Sequence, residues 1–285
     1  MWVVTLTFGF ILAGFGAGFL LQGHLVGFAW VLATLVYWLG ILGGEGAEFE
    51  RAALFATVGL LIAFFSKIGS VETLKHTAFY CLLAYLCVLT GIPLLKVGLR
   101  DKPLPFERLR DSFHKSFTRL WARHIYAGCF ALTVLCGIWF ARYFHFPRGY
   151  WIAITALLVM RADPAQSYYR STQRFLGTAL GVLLGDIFIE FHLENSIFLG
   201  VIVVCALLIP WALKRNYVAA SLLVTLFIVF LLEIAATVHG DLSVPFIRLK
   251  ATLVGCVLSA LGTALARGLI LGRERWTRGA AGSAG

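Results

Sequence analysis

The chain has 285 residues, 60% of them hydrophobic and 13% charged, and a mean hydropathy of +0.88. That balance excludes a water-soluble globular domain, which needs far more charge to cover its surface. The net charge of +10 does not point to nucleic acid either, because the basic residues cluster beside apolar runs, eight in 96–123 and four from Arg267 onward. Such clusters mark the cytoplasmic side of membrane spans and meet anionic lipid.

Apolar runs long enough to cross a bilayer recur along the sequence. The expected fold is all-α, a polytopic transmembrane bundle of about ten spans with one interfacial amphipathic helix and no soluble domain. The spans are placed at 2–21, 25–43, 51–67, 76–95, 124–144, 149–163, 171–191, 196–213, 217–236 and 248–270. The first run lacks a basic n-region and a small-x-small cleavage site, so it is read as a helix and not as a signal peptide. With segment 96–123 in the cytoplasm, the Lys and Arg count is 18 inside and 6 outside, and both termini are inside. Four segments follow: a four-helix membrane segment 1–98, a basic amphipathic linker 99–123, a six-helix membrane unit 124–272 and a cytoplasmic tail 273–285.

In the first span Gly14 and Gly18 form a small-xxx-small pair, the pattern that lets helices approach closely where lipid removes the hydrophobic drive. The loop after the second span is acidic, with Glu45, Glu48 and Glu50 beside Arg51; acidic residues weigh little in topology. Between 100 and 121, Pro103 and Pro105 break the chain, and Phe106, Leu109, Phe113, Phe117 and Leu120 then recur at helical spacing among Arg108, Arg110, Lys115 and Arg119. This is a basic amphipathic helix lying in the interface, a lipid anchor or a docking site for a soluble partner. The six cysteines (Cys81, Cys87, Cys129, Cys136, Cys205, Cys256) lie inside apolar runs with no C-x-x-C pair, so they read as small buried hydrophobes, with no metal site and no disulfide framework. A faint echo links Trp30 and Thr34, followed by Arg51, with Trp151 and Thr155, followed by Arg170 and Arg174; either 1–98 is a degenerate repeat of the four spans that follow the linker, or the match is chance.

Residues 149–185 set three arginines and one aspartate beside apolar helix. A short apolar helix opens with Tyr150 and Trp151 and should stop at Asp163-Pro164, because the residue before a proline is pushed out of helical geometry. Arg161 sits at that hinge, and Arg170 and Arg174 follow one helical turn apart on one face. Guanidinium groups grip carboxylates in bidentate fashion, so these arginines are candidate binders of an organic anion; the plainer reading is anchoring by snorkelling. Tyr150 and Trp151 are interface-belt residues or a stacking surface for an aromatic ring. Asp163 pairs with Arg161 or Arg170, or carries a proton. Asp186 and Glu190 share a face, and an acid at that depth is paired, hydrated or protonated, which makes both candidates for proton coupling. Gly177, Gly181 and Gly185 are a helix-packing stripe and not a phosphate loop, since no strand precedes them and no P-loop lysine follows.

With Tyr150-Trp151, Thr155, Arg161-Ala-Asp163, Arg170, Arg174 and Gly177-Thr178-x-x-Gly181, and with Arg248 before Thr252-Leu253-Val254-Gly255, residues 124–270 resemble the fusaric acid resistance and aromatic acid exporter family of bacterial inner-membrane proteins. Asp163 precedes Pro164 where the family has the reverse order, and only four spans precede the linker. The resemblance implies a multi-pass inner-membrane transporter that exports small organic anions, aromatic carboxylic acids by analogy, driven by protons. Tyr150, Trp151, Thr155, Arg161, Arg170 and Arg174 would bind substrate, and Asp186, Asp163 and Glu190 would couple protons. Partners would be the anion, membrane lipid, a second copy and a periplasmic adaptor protein, with no nucleic acid and no cofactor; the glycine stripes pack within one chain or across a dimer interface. Plant malate channels of the same broad group keep a passive anion channel as an alternative, and a non-transporting scaffold subunit is a second. No G-x-S-x-G, H-E-x-x-H or His/Asp cluster argues for an enzyme.

Overall fold

The computed structural model describes residues 2–42, 47–65, 120–191, 195–239 and 244–282, with Lys75, Phe79, Leu82 and Leu86 between them. The described residues are helical and contain no strand: α1 (Trp2–Leu20), α2 (Leu25–Leu42), α3 (Ala47–Phe65), α4 (Leu120–Tyr143), α5 (Tyr150–Val159), α6 (Pro164–Glu190), α7 (Asn195–Arg215), α8 (Tyr217–His239) and α9 (Val244–Gly282). In hydrocarbon the helix satisfies its own backbone groups, so apolar sequence this dense folds into helices. Four of them, over Trp121–Tyr143, Pro164–Glu190, Ser196–Leu213 and Pro245–Trp276, are long and apolar enough to cross a bilayer; five shorter apolar helices accompany them. The protein is a multi-pass helical membrane protein. The expected span 76–95, the amphipathic linker and Glu45 lie almost wholly outside the described residues.

Two compact units divide the chain, one of residues 1–135 with 265–285 and one of residues 136–264. In the first, α1 packs on α3 through glycines. A Cβ on Gly14 would overlap the Ala56 carbonyl, and one on Gly18 would lie 2.5 Å from the Leu60 carbonyl oxygen. The contact positions rise together along both helices, so α1 and α3 run parallel. Gln22 Nε2 donates to the Ala63 carbonyl at 2.7 Å, and Phe28, fully buried, stacks on Phe64 with centroids 3.7 Å apart.

The second unit repeats that device. Gly177 lies against Val218 and Ser221, Gly181 against Leu222 and Thr225, and Gly185 against Val229, so α6 and α8 also run parallel in close contact. Thr178 and Ser221 hydroxyls meet at 3.3 Å, and Thr225 Oγ1 donates to the Ser221 carbonyl at 2.8 Å, which keeps the layer between the glycines satisfied. Phe198, Ile202 and Cys205 of α7 pack with Leu226, Val229 and Phe230 of α8. Leu176, Leu180 and Leu183 of α6 and Leu207 and Trp211 of α7 are exposed, an apolar outer surface suited to lipid.

α5 has only ten residues, about 15 Å of helix and too short to cross a bilayer. It enters through a tight turn in which His145 and Arg148 take φ of 49° and 53°, and a Cβ on Gly149 would overlap Ala141. α5 leaves at Met160, whose backbone is extended, and the chain restarts as a helix at Pro164. The helix stops earlier than the Asp163-Pro164 pair implies, since α5 ends at Val159, and α6 begins at Pro164 and not near 171: the polar stretch 165–170 is its first turns. The two tryptophan–threonine pairs share one local geometry, Thr34 and Thr155 each donating to the carbonyl four residues back at 2.8 Å. Of the cysteines, Cys129, Cys205 and Cys256 are buried and Cys136 is exposed on α4, contrary to expectation, while Cys81 and Cys87 lie outside the described residues.

Gly177→Leu should overpack the α6–α8 contact at a cost of about 1–3 kcal/mol, read as a lower thermal midpoint in detergent. Gly200→Ala, where nothing lies within 4 Å, should stay within about 0.5 kcal/mol of wild type.

Candidate anion site

The hinge between α5 and α6 is built by side chains. Asp163 caps α6, its Oδ1 accepting from the Ala165 N–H at 3.1 Å, and Pro164 occupies the first helical turn, where a missing N–H costs nothing. The buried Ser167 hydroxyl accepts from the Arg161 N–H at 2.7 Å and donates to the Arg161 carbonyl at 2.9 Å, which staples the hinge to α6. Arg161 is half-buried, and its Nη1 donates to the Met160 carbonyl at 3.3 Å.

The structure splits the three candidate arginines. Arg161 stays at the hinge. Arg170 lies over the Tyr217 ring at the start of α8, 5.5 Å from its centroid. Arg174, one turn on, is buried, with 4% of its surface exposed, and its backbone carbonyl accepts from Ser221 Oγ at 3.1 Å. The glycine stripe explains the difference: Arg174 stands three residues before Gly177, within the stretch of α6 that packs on α8, whereas Arg170 lies where α8 has only begun.

Arg174 has a companion in Arg248 of α9, 3% exposed and close enough for the two charges to repel. Arg248 lies over the Trp151 ring at 4.0 Å from the centroid, a cation–π contact from α9 to the start of α5. Two turns along α9, a Cβ on Gly255 would lie 2.6 Å from Thr155 Cβ, so α5 and α9 pack backbone to backbone there. Cys256 Sγ donates to the Ser171 carbonyl at 3.5 Å, tying α9 to α6. Around this junction Arg174 Nε, Arg248 Nε and Nη1 and Ser171 Oγ are buried without a hydrogen-bond partner. No carboxylate among the described residues pairs with either arginine, and orphan buried donors of this kind require a partner.

Tyr150 stands within electrostatic reach of Arg148 and Arg248. Thr155 faces α9, with its hydroxyl already bonded to the Trp151 carbonyl. Of the acids, Asp186 is half-buried on α6, Glu190 is exposed near its end and Asp163 is engaged as the cap. Glu233 falls where side chains are outside the described residues. No group of three His, Cys, Asp or Glu residues able to hold a metal occurs among the described residues.

Arg248 was legible in the sequence as the first residue of the last expected span and as part of the motif of the resemblance, but not as a companion of Arg174. It stands seven residues before Gly255 on the Ala251–Gly255–Ser259 stripe, and extending that stripe backward would have placed it inside the bundle.

A multi-pass helical membrane protein with paired arginines buried among its helices is the class that this architecture defines. Residues 135–262, nearly coincident with the second compact unit, match the family model described as fusaric acid resistance protein-like, so the resemblance carried by the motif holds over this segment. Similar proteins include an uncharacterized membrane protein of Bacillus subtilis (29% identical, 57% of this chain and 25% of that one), an uncharacterized protein of Synechocystis (32%, 47% and 18%) and an uncharacterized protein of Haemophilus influenzae (26%, 51% and 20%). The chain thus spans a quarter or less of the length of these relatives. No solved structure matches it.

Asp163→Ala should lower stability by about 1 kcal/mol through loss of the α6 cap, and Asp163→Asn should retain most of it; thermal unfolding of the purified variants in detergent checks both.

Proposed function

We propose that the protein moves small organic anions, aromatic carboxylates among them, across the bacterial inner membrane, outward and with proton coupling. The observation that carries this reading is the Arg174–Arg248 pair: two buried guanidiniums that repel each other, with unpartnered donors. A buried cation in a membrane bundle is expensive and marks an ion pathway by default. A carboxylate between the two arginines would accept from both and turn the repulsion into attraction. The Trp151 ring, already against Arg248, supplies a surface on which an aromatic substrate ring can lie. The match to a fusaric acid resistance protein-like family supports transport as the function.

Arg161 at the hinge would then guide the anion toward or away from the pair. For proton coupling, Asp186 is the strongest of the three acids, since it alone is partly withdrawn from solvent without serving as a cap. A second copy along the exposed helices and a periplasmic adaptor would complete an export path.

The test is uptake of labelled benzoate into inside-out vesicles, with and without an imposed pH gradient. Wild type should accumulate benzoate only with the gradient. Arg174→Gln and Arg248→Gln should each lose about tenfold or more in rate, the scale of one charge-assisted hydrogen bond, while still inserting. Asp186→Asn should retain equilibration and lose accumulation. Wild-type rates in both arginine variants would refute the site. Voltage-driven flux that never accumulates would favour the channel, and no flux at all would favour a scaffold.

A further inference from the structure

The face of α6 that packs on α8 from Gly177 onward opens, one to two turns earlier, into a cavity of about 500 Å³. Gln166, Arg170 and Gln173 of α6 line one side; Leu213 and Arg215 of α7 and Tyr217 of α8 line the other. The lining contains no carboxylate. Its two guanidiniums are held against rings, Arg170 over Tyr217 and Arg215 over Trp211, each 5.5 Å from the centroid. The Tyr217 hydroxyl is buried with no hydrogen-bond partner. The 23-residue helix α8 also begins at this cavity, and its N-terminus adds positive potential.

The surroundings choose among anions. Tyr169, 66% exposed, lines the cavity, and Trp211, 56% exposed, lies under its Arg215; both are amphipathic aromatics of the kind that settle at headgroup depth. Away from the cavity, exposed Leu176 and Leu180 continue along α6, and exposed Leu207 and Leu208 along α7. A cationic, polar pocket that opens on an apolar wall fits an amphiphile, with its phosphate inside and its acyl chains along the leucines. A small free anion would leave that wall unused.

We infer that this cavity binds the phosphate headgroup of an anionic membrane phospholipid. The two arginines clamp the phosphate and the Tyr217 hydroxyl donates to it, which ties the α6, α7 and α8 ends together at the membrane surface. The site stands apart from the Arg174–Arg248 pair and does not depend on the transport reading.

Native mass spectrometry of the purified protein, given an equal mixture of phosphatidylglycerol and phosphatidylethanolamine vesicles in detergent, tests it. Wild type should retain phosphatidylglycerol preferentially. Arg170→Gln and Arg215→Gln should each reduce that preference about fivefold, the scale of one basic residue at an anionic surface, while Arg273→Gln, outside the cavity, leaves it unchanged. Excess benzoate or inorganic phosphate should not displace the lipid. Arg215 is exposed, so its variant carries the test even if Arg170→Gln fails to fold. Equal retention in wild type and Arg215→Gln would overturn the inference. Displacement by benzoate or free phosphate would overturn it too and make the cavity a solute vestibule.

Discussion

The close approach of α6 to α8 along Gly177, Gly181 and Gly185 is the constraint on which the second unit depends. In lipid no hydrophobic effect pulls apolar helices together, so association rests on packing and on hydrogen bonds across the contact. Removing three side chains from one face lets the backbones meet, and Thr178, Ser221 and Thr225 can then exchange hydrogen bonds between and along the helices. The same approach decides the fate of Arg174. Its backbone is held by Ser221, and it stands on the packed face, so its long side chain is confined inside the bundle instead of reaching the interface.

Confinement creates an electrostatic problem. Two like charges confined in one bundle repel, and taking each out of water adds a further cost. Trp151 offsets part of this by presenting its ring face to Arg248. That contact leaves the Nε and Nη1 donors of Arg248 unfilled. A site that is strained when empty and relaxed when an anion enters has the energetic form a binding site needs, because the relief is available only to the right charge. The short α5 belongs to the same arrangement. Ending a helix part-way through the bundle is tolerable only where other protein or a cavity satisfies the freed groups, and here Ser167, Asp163 and Pro164 do so.

Patterns that follow from backbone chemistry were legible in the sequence. The start of α6 at Pro164 and the close approach along the glycine stripe each depend on a property of the residue itself, whereas α5 ends at Val159, four residues before the expected stop. What depended on three-dimensional neighbours was harder. Arg170 and Arg174 share a helix face in sequence, yet one faces a cavity and the other the interior, because α8 begins between their levels. Arg248 was placed at the very start of its span, whereas α9 begins before it, at Val244, and buries it. The helical potential of 165–170 was hidden by its polarity, since hydropathy reports the apolar part of a helix and not its full length. Cys136 shows the converse error: a small apolar residue in a lipid-facing helix has no need to be buried.

The most direct measurement is a structure determined with iodobenzoate, using the anomalous signal of iodine to locate the ligand. The account predicts an iodine peak beside Trp151 with the carboxylate between Arg174 and Arg248. A fully occupied ligand elsewhere, with the arginine pair empty or bridged by an acid of the chain itself, would contradict it.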